Sequence, residues 1–380
     1  SYTGENVVEI HCHGGAFLSR KILGLVLAQG ARQAEPGEFT KRAFLNGRLD
    51  LSQAEAVLDL IRAKTDKSSE LALNQMSGEL SKWVGDLRER LLDILVQVEA
   101  AIDFPEEEID LLQHCQLIGK IDDLRHKIAD IISTYEWGKI FREGAKVCIC
   151  GRPNVGKSSL VNALLGTNRV IVTPVPGTTR DVIEESINLD GLPVVLWDTA
   201  GMRETEDQVE RIGVDLSKRY LEKADAALVV LDGSVLMNEE DVSLLRSVAD
   251  KRRMIVINKA DLPRTLPVDD VKKFSGTSNI HFVSAKTNCG IGELKKSLRE
   301  FLLGTEVEPS IVITNLRHKN ALVRGEAALN RAMNTIAQGV ASEFVAVDLN
   351  EAREALEEVT GRVTNEDILE RIFKDFCIGK

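Results

Sequence analysis

The sequence has no apolar run long enough to cross a bilayer, which takes about 20 consecutive apolar residues. It has no signal-peptide pattern at its start either. The expectation is a cytoplasmic chain with no membrane partner. Cysteine is sparse: six thiols lie scattered without the spacing of a disulfide framework, which fits a reducing compartment. There is no excess of positive charge, with 48 Lys and Arg against 59 Asp and Glu and a formal net charge of −11. Neutralising nucleic-acid phosphates takes clustered Lys and Arg, so this balance argues against wrapping nucleic acid unaided. It leaves room for a local basic patch or for an RNA held jointly with a partner. An initiator Met is missing too. Ser1 opens the sequence, and the reading expects the chain to start inside a domain.

What is present is ordinary for well-formed cores: 43% hydrophobic and 28% charged residues. A length of 380 residues points to two or three domains.

Residues 146–160 read KVCICGRPNVGKSSL: a short apolar strand, a tight turn, then a helix start. Cys148 and Cys150 fall on one strand face, where small core residues are a better reading than a redox or metal pair. Gly151 to Ser158 fills the pattern G-x-x-x-x-G-K-S. Its glycines let backbone N–H groups point inward at phosphate oxygens, and the helix start adds its positive dipole end. Lys157 is expected to bridge the β- and γ-phosphates and Ser158 to ligate Mg²⁺, with Asn154, Val155, Gly156 and Ser159 in the same loop. The plain alternative is a chance Gly-rich turn, against which the flanking strand and helix argue.

This loop does not distinguish ATP from GTP; three later stretches do. VVLWDTAG (194–201) is a buried-type strand that ends in Asp198, placed for the Mg²⁺ shell. Thr199, Ala200 and Gly201 follow, and the Gly201 N–H can sense the γ-phosphate. MIVINKADL (254–262) ends a strand in Asn258, Lys259, Ala260 and Asp261. Asp261 can accept hydrogen bonds from the guanine N1–H and 2-amino group, which adenine does not supply. HFVSAKTNCG (281–290) offers Ser284, Ala285 and Lys286 to the guanine carbonyl. Between the 151–158 turn and VVLWDTAG, VTPVPGTTRDVIEE (172–185) holds Thr173, Pro174, Val175, Pro176, Gly177, Thr178 and Thr179. Its Thr pair is suited to closing over Mg²⁺ and the γ-phosphate, Thr179 as ligand; turn capping is the alternative. Four fragments in this order predict a doubly wound α/β GTP-binding domain with its ligand at the carboxyl ends of the strands.

One residue type is missing from this set. In Ras-like enzymes a glutamine follows Asp-Thr-Ala-Gly and orients the attacking water; here Met202 stands there.

The flanks read as helices. LSKWVGDLRERLLDILVQVEAAIDF before the central domain, and LRHKNALVRGEAALNRAMNTIAQG and VDLNEAREALEEVTG after it, place apolar residues at spacings of three and four. One bundle assembled from both segments is expected, with two separate helical caps as the alternative. Thr364 to Asp367 reads as a cap for the last helix, and the acidic run 105–110 as a solvated loop or helix start. At the start, VVEIHCH is expected to be a strand followed by a helix. His11 and His13 share a face there, without a convincing third metal ligand. The terminal FCIGK is no prenylation box. On the residues alone, Cys377 reads as a core residue on a frayed end.

GRPNVGKSSL, PGTTRD, DTAGMRE, VERIG (209–213) and FCIGK (376–380) together resemble the bacterial tRNA-modification GTPases of the MnmE (TrmE) family. AEPGEFTKRAFLNGRLDLSQAEAV (34–57) and AAIDFPEEEID (100–110) extend the likeness over essentially the whole chain. The resemblance implies a P-loop GTPase inserted in a helical bundle and preceded by part of an α/β folate-binding and dimerisation domain. The corresponding boundaries are 1–48, 49–142 with 306–380 for the bundle, and 143–305 for the GTPase. By resemblance the chain begins after the front half of the first domain, which carries a further folate-contacting arginine.

The resemblance also accounts for Met202, since Glu210 matches a glutamate that orients the water. Asn154, with carbonyls around Thr173, Val175 and Thr178, matches a K⁺ site formed when two GTPase domains meet. That ion stands where an arginine finger otherwise would. Cys377 matches a cysteine needed for tRNA modification, and with Lys157 and Glu210 it completes the catalytic set. Glu9, Arg48 and Lys380 match or adjoin folate-contacting positions. The implied reaction is C5 modification of the wobble uridine of tRNA. It uses a one-carbon unit from 5-formyl- or 5,10-methylene-tetrahydrofolate, a flavin-containing partner of the MnmG type that shares the tRNA, and a homodimer. A GTP-switched ribosome-assembly factor of the Era/Der type is the alternative from another class, and a nucleotide-regulated dimeric scaffold is a third.

Overall fold

The computed structural model describes residues 1–103, 111–166, 184–198, 220–304, 309, 311–363, 366–376 and 379, with backbone alone at 111–114, 184, 198 and 367. They form two compact units, one of Ser1–Arg62, Glu70–Glu136 and Ser310–Lys380, the other of Ala63–Ser69 and Trp137–Pro309.

The first unit is helical. It begins with α1 (Ala16–Ala28), α2 (Glu38–Leu45), α3 (Leu51–Arg62), α4 (Asp66–Met76), α5 (Glu79–Asp103) and α6 (Leu111–Ser133). On α5 the residues at spacings of three and four, Leu80, Val84, Leu87, Leu91, Ile94, Leu95 and Val98, are all buried, so the apolar stripe is one continuous seam. Its partners come from the other end of the chain, which returns to this unit as α12 (Leu316–Ala337), α13 (Ser342–Thr360) and α14 (Glu366–Lys374). α12 lies along α13 and α6, and α13 along α5. Leu91, Ile121, Leu322 and Leu349, one from each of these four helices, are fully buried in one core. The two flanks therefore make a single bundle rather than two caps. Asn315 starts α12 by accepting a hydrogen bond from the Arg317 N–H at 3.0 Å.

A smaller core joins the last helix to the front of the unit: Leu369 and Phe373 of α14, with Phe376, pack on Leu51, Ala54 and Leu58 of α3. Gly37, at φ 68°, lets that helix come close; a Cβ there would lie 2.8 Å from the Phe373 carbonyl oxygen. Thr364 and Asn365 of the expected cap, and the run 105–110, lie outside the described residues.

The expected strand at VVEIHCH is not formed. Every strand among the described residues belongs to the other unit, so this segment has no neighbour with which to pair its backbone N–H and C=O groups. Its alternating apolar residues stand in solvent, Val8 at 90% exposure. The helix predicted after it is present as α1, with no buried residue.

The second unit holds α7 (Tyr135–Glu143), β1 (Ala145–Cys150), α8 (Lys157–Leu165), β2 (Glu184–Leu189), β3 (Leu192–Asp198), β4 (Ala226–Asp232), α9 (Glu239–Ser247), β5 (Arg253–Asn258), α10 (Val268–Ser275), β6 (Ile280–Phe282) and α11 (Ile291–Leu303). The sheet order is β2-β3-β1-β4-β5-β6, with β2 antiparallel to β3 and the rest parallel. All seven residues of β4 are buried, as are Met254 to Asn258 of β5, the signature of parallel strands covered on both faces. Strand order reverses about β1, which carries the chain to β3 on one side and β4 on the other; in such sheets ligands lie beyond the carboxyl ends at this point. Cys148 and Cys150 are buried side by side on β1 with their Sγ atoms 3.5 Å apart, as core thiols.

Candidate functional site: a guanine-nucleotide frame

Five strand ends converge at the carboxyl edge of the sheet: Cys150 leading into Gly151, Asp198, Asp232, Asn258, and β6 leading into Ser284. The turn after β1 is built for close approach. Gly156 has φ 94°, and a Cβ on it would overlap the Asn258 side-chain nitrogen, so only glycine fits. Asn154, at φ 65°, is exposed in the same turn, in the left-handed conformation that Asn tolerates best after Gly. Lys157 opens α8, is 7% exposed, and donates its ammonium hydrogens to the Gly151 and Arg152 carbonyls, each at 2.9 Å. The positive charge is thus held over the turn, at the N-terminus of a helix, where a phosphate is best stabilised. Ser158 and Ser159 follow on the exposed side of α8. Arg152 lies beside Asp241 of α9, its Nε 3.4 Å from Oδ1 as an ion pair without a hydrogen bond. β3 delivers the backbone of Asp198 opposite Ile149, one strand from the turn.

The second half of the site is held by Asn258. Its Nδ2 donates to the Val155 carbonyl at 2.9 Å and its Oδ1 accepts from the Ala285 N–H at 3.0 Å. One buried side chain therefore ties the β1–α8 turn to the loop after β6. Ala260 is anchored by its N–H to the Val283 carbonyl at 3.0 Å. Ser284, fully buried, donates its hydroxyl to Asp261 Oδ1 at 2.6 Å. That bond, above all, holds the exposed Asp261 carboxyl below its usual range, so it stands as a carboxylate with its other oxygen available. A carboxylate so aimed can accept hydrogens from a base edge bearing an N–H beside an amino group, which guanine presents. Lys286 is exposed next to it.

Sequence reasoning missed Asp232 at the end of β4. It is 9% exposed; Oδ1 accepts from the Ser234 N–H at 2.9 Å and hydroxyl at 2.6 Å, and Oδ2 accepts from Lys259 Nζ at 2.6 Å. Burial pushes this carboxyl up, but the Lys259 and Ser234 hydrogen bonds outweigh it and leave it below the ordinary value. The signal was an Asp closing an all-apolar strand and followed by Gly-Ser, which also reads as a plain turn.

Thr173 to Thr179, Thr199 to Gly201, Glu210, Cys377 and Lys380 lie outside the described residues, as does the Asp198 side chain. Glu9 stands 73% exposed beside His11, 3.5 Å away. Arg48 lays its side-chain stem against Gly4. Among the described residues no hydrogen bond or ion pair joins Glu9 to Arg48, and no helix is long and apolar enough to cross a membrane.

A sheet in this order, with a G-x-x-x-x-G-K-S turn at its switch point and Asn-Lys-Ala-Asp at the next carboxyl end, defines a P-loop GTPase domain. The rest of the chain places it more narrowly. A family model described as the MnmE helical domain matches residues 51–377, and one described as the GTP-binding protein TrmE N-terminus matches 1–48. The chain is similar to the tRNA modification GTPase MnmE of Clostridioides difficile strain 630, at 47% identity over 100% of this chain and 83% of the relative. It is also similar to that of Bacillus mycoides, at 46% over 100% and 84%. Among solved structures, Aquifex aeolicus Era bound to GDP and aluminium fluoride aligns over 48% of this chain and 66% of its own, at 30% identity and TM-score 0.34. The chain belongs to the MnmE (TrmE) family of tRNA modification GTPases.

Proposed function

We propose that this chain hydrolyses GTP and couples that hydrolysis to modification of tRNA at C5 of the wobble uridine. A flavin-containing partner and a folate one-carbon donor take part in that coupling. Asn258 carries the nucleotide half of this reading: it locks the phosphate turn and the base loop into one frame, with Asp261 charged at the end that a guanine edge would meet. Similarity to tRNA modification GTPases along the whole of this chain and 83% of the relative supports the tRNA half.

In this reading Lys157 meets the β- and γ-phosphates, and the buried, carbonyl-anchored placement of its ammonium fits that role. Ser158 and Thr179 would hold Mg²⁺. Asn154, with carbonyls at Thr173, Val175 and Thr178, would hold K⁺, and its left-handed, exposed position leaves the side-chain oxygen free to face an ion. When bound, both cations offset the charge that builds on the transferring phosphate. Glu210 orients the attacking water in place of the absent glutamine. Glu9, Arg48 and Lys380 serve the folate, and Cys377 the tRNA chemistry. The division into 1–48, 49–142 with 306–380, and 143–305 assigns these roles to separate domains.

The test is steady-state GTP hydrolysis in KCl and NaCl at equal ionic strength for wild type, Asn154→Ala and Glu210→Ala. Faster turnover in K⁺ that Asn154→Ala loses, with Glu210→Ala binding GTP but barely cleaving it, is the expected result. Equal rates in both salts, or an unimpaired Glu210→Ala, would overturn the mechanism.

A further inference from the structure

Lys259 opens the base-binding loop in an unusual backbone conformation. It holds φ 64°, a left-handed conformation costly for a long side chain, and no hydrogen bond to the phosphate turn keeps it there among the described residues. Its carbonyl accepts a hydrogen bond from the Leu262 N–H at 3.0 Å, and its side chain is held from the neighbouring strand. β4 and β5 pair in register with Asp232 opposite Asn258, so Lys259 sits one residue beyond the last rung. From there its ammonium reaches back 2.6 Å to Asp232 Oδ2.

The acceptor is itself fixed. Asp232 Oδ1 is taken by the Ser234 N–H and hydroxyl at 2.9 and 2.6 Å, so the carboxylate cannot rotate away. The turn that carries it is laced to the base loop by the Gly233 N–H on the Asn258 carbonyl at 2.9 Å. The Thr265 N–H on the Gly233 carbonyl, also at 2.9 Å, and the Thr265 hydroxyl on the Ser234 carbonyl at 2.8 Å close the same lacing. With its backbone set at one end and its ammonium at the other, Lys259 presents its four methylenes as a tethered, partly exposed rail. Such a rail beside Asp261 is a surface for the flat face of the base whose edge Asp261 meets.

We infer that Asp232 is a positioning residue for guanine: it acts through Lys259, which it holds in place as the packing surface for the base, and so sets nucleotide affinity without touching the reacting phosphate. The inference rests on the guanine-nucleotide reading above. Losing a charge-assisted bond of this kind costs about tenfold in affinity. Asp232→Asn keeps the shape and removes the charge that holds the ammonium. Its effect should therefore appear in Kd and KM and leave kcat at saturating GTP nearly unchanged.

The experiment measures equilibrium binding of a fluorescent GDP, and KM and kcat for GTP, in wild type, Asp232→Asn, Lys259→Ala, the double variant and Ser234→Ala. Wild type must bind the probe; if it does not, the guanine reading itself fails and this inference with it. Given wild-type binding, the expected results are an affinity loss of about tenfold in Asp232→Asn, a matching rise in KM, and no further loss when Lys259→Ala is added. Ser234→Ala, which frees the carboxylate to swing, should lose about threefold and decides the matter if Asp232→Asn does not fold. Wild-type affinity in a folded Asp232→Asn or Ser234→Ala, losses that add in the double variant, or a fall in kcat instead of a rise in KM would each overturn the assignment.

Discussion

Asn258 and Val155 are 103 residues apart in sequence and joined by a 2.9 Å hydrogen bond from a side chain that is 2% exposed. Because the same amide also receives the Ala285 N–H, removing it leaves a buried carbonyl and a part-buried N–H unpaired at once. Asn258→Ala should destabilise the GTPase unit by about 2–4 kcal/mol in urea unfolding and weaken GTP binding at least tenfold. A variant that keeps full nucleotide affinity would mean that the two loops hold themselves without the bridge.

Gly156 makes a sharper case at the other end of that bond. An added methyl meets the Asn258 amide, in a backbone conformation that alanine resists, so the turn must open to admit it. Gly156→Ala should lose measurable GTP binding while leaving the helical unit intact. Calorimetric titration of nucleotide, set beside the far-ultraviolet helix signal, reads both.

In the helical unit Glu55 is buried between Arg317, which donates to both of its oxygens at 2.9 Å, and His318, whose Nε2 lies 2.8 Å away. Burial raises the Glu55 carboxyl, but His318 and Arg317 prevail and hold it at about 2, from an ordinary 4.5. Its stabilisation is therefore whole above about pH 4.5 and is lost as pH falls through about 2. Burial drives His318 below its usual 6.5 against the pull of Glu55, so the folded chain resists taking up that proton. Stability should accordingly start to fall as pH drops below about 6.5 and fall further below about 4.5. Glu55→Gln, which strands the buried guanidinium, should cost about 3–5 kcal/mol at neutral pH and flatten the lower part of this profile. Urea midpoints across pH 3–8 for both proteins check it.

Phe373 is 2% exposed where α14 meets α3. Phe373→Ala should cost about 3–5 kcal/mol locally and show as faster amide exchange across Glu366–Lys374. In the proposed reaction, GTP hydrolysis should persist while tRNA modification falls, because Cys377 follows four residues later. An equal loss of both activities would place the helix in the hydrolysis machinery.

The phosphate turn and base loop were legible because their chemistry is local: glycines, a lysine and a carboxylate at fixed offsets after apolar strands. The bundle was legible for a similar reason, as spacings of three and four survive whatever the helix packs against. Asp232 was not, since its partner is 27 residues away and an Asp-Gly-Ser turn needs no further explanation. The sequence analysis did not single out Glu55 or His318, whose burial shows only where α3 meets α12. The strand expected at VVEIHCH failed for the converse reason. Alternation is visible in one segment, but pairing needs a second.

The bundle has a consequence for how the chain is made. α5 and α6 are complete by Ser133, whereas α12, which closes over α6, begins at Leu316, 183 residues later (316 − 133). At about 5–20 residues per second of synthesis, the two early helices wait roughly 10–40 s with their apolar stripes uncovered. During that interval the whole GTPase unit emerges and folds, so the nascent chain carries a finished nucleotide switch on an unfinished scaffold. Aggregation and chaperone capture on the ribosome should therefore concentrate on Leu80 to Ile131 rather than on the sheet that follows.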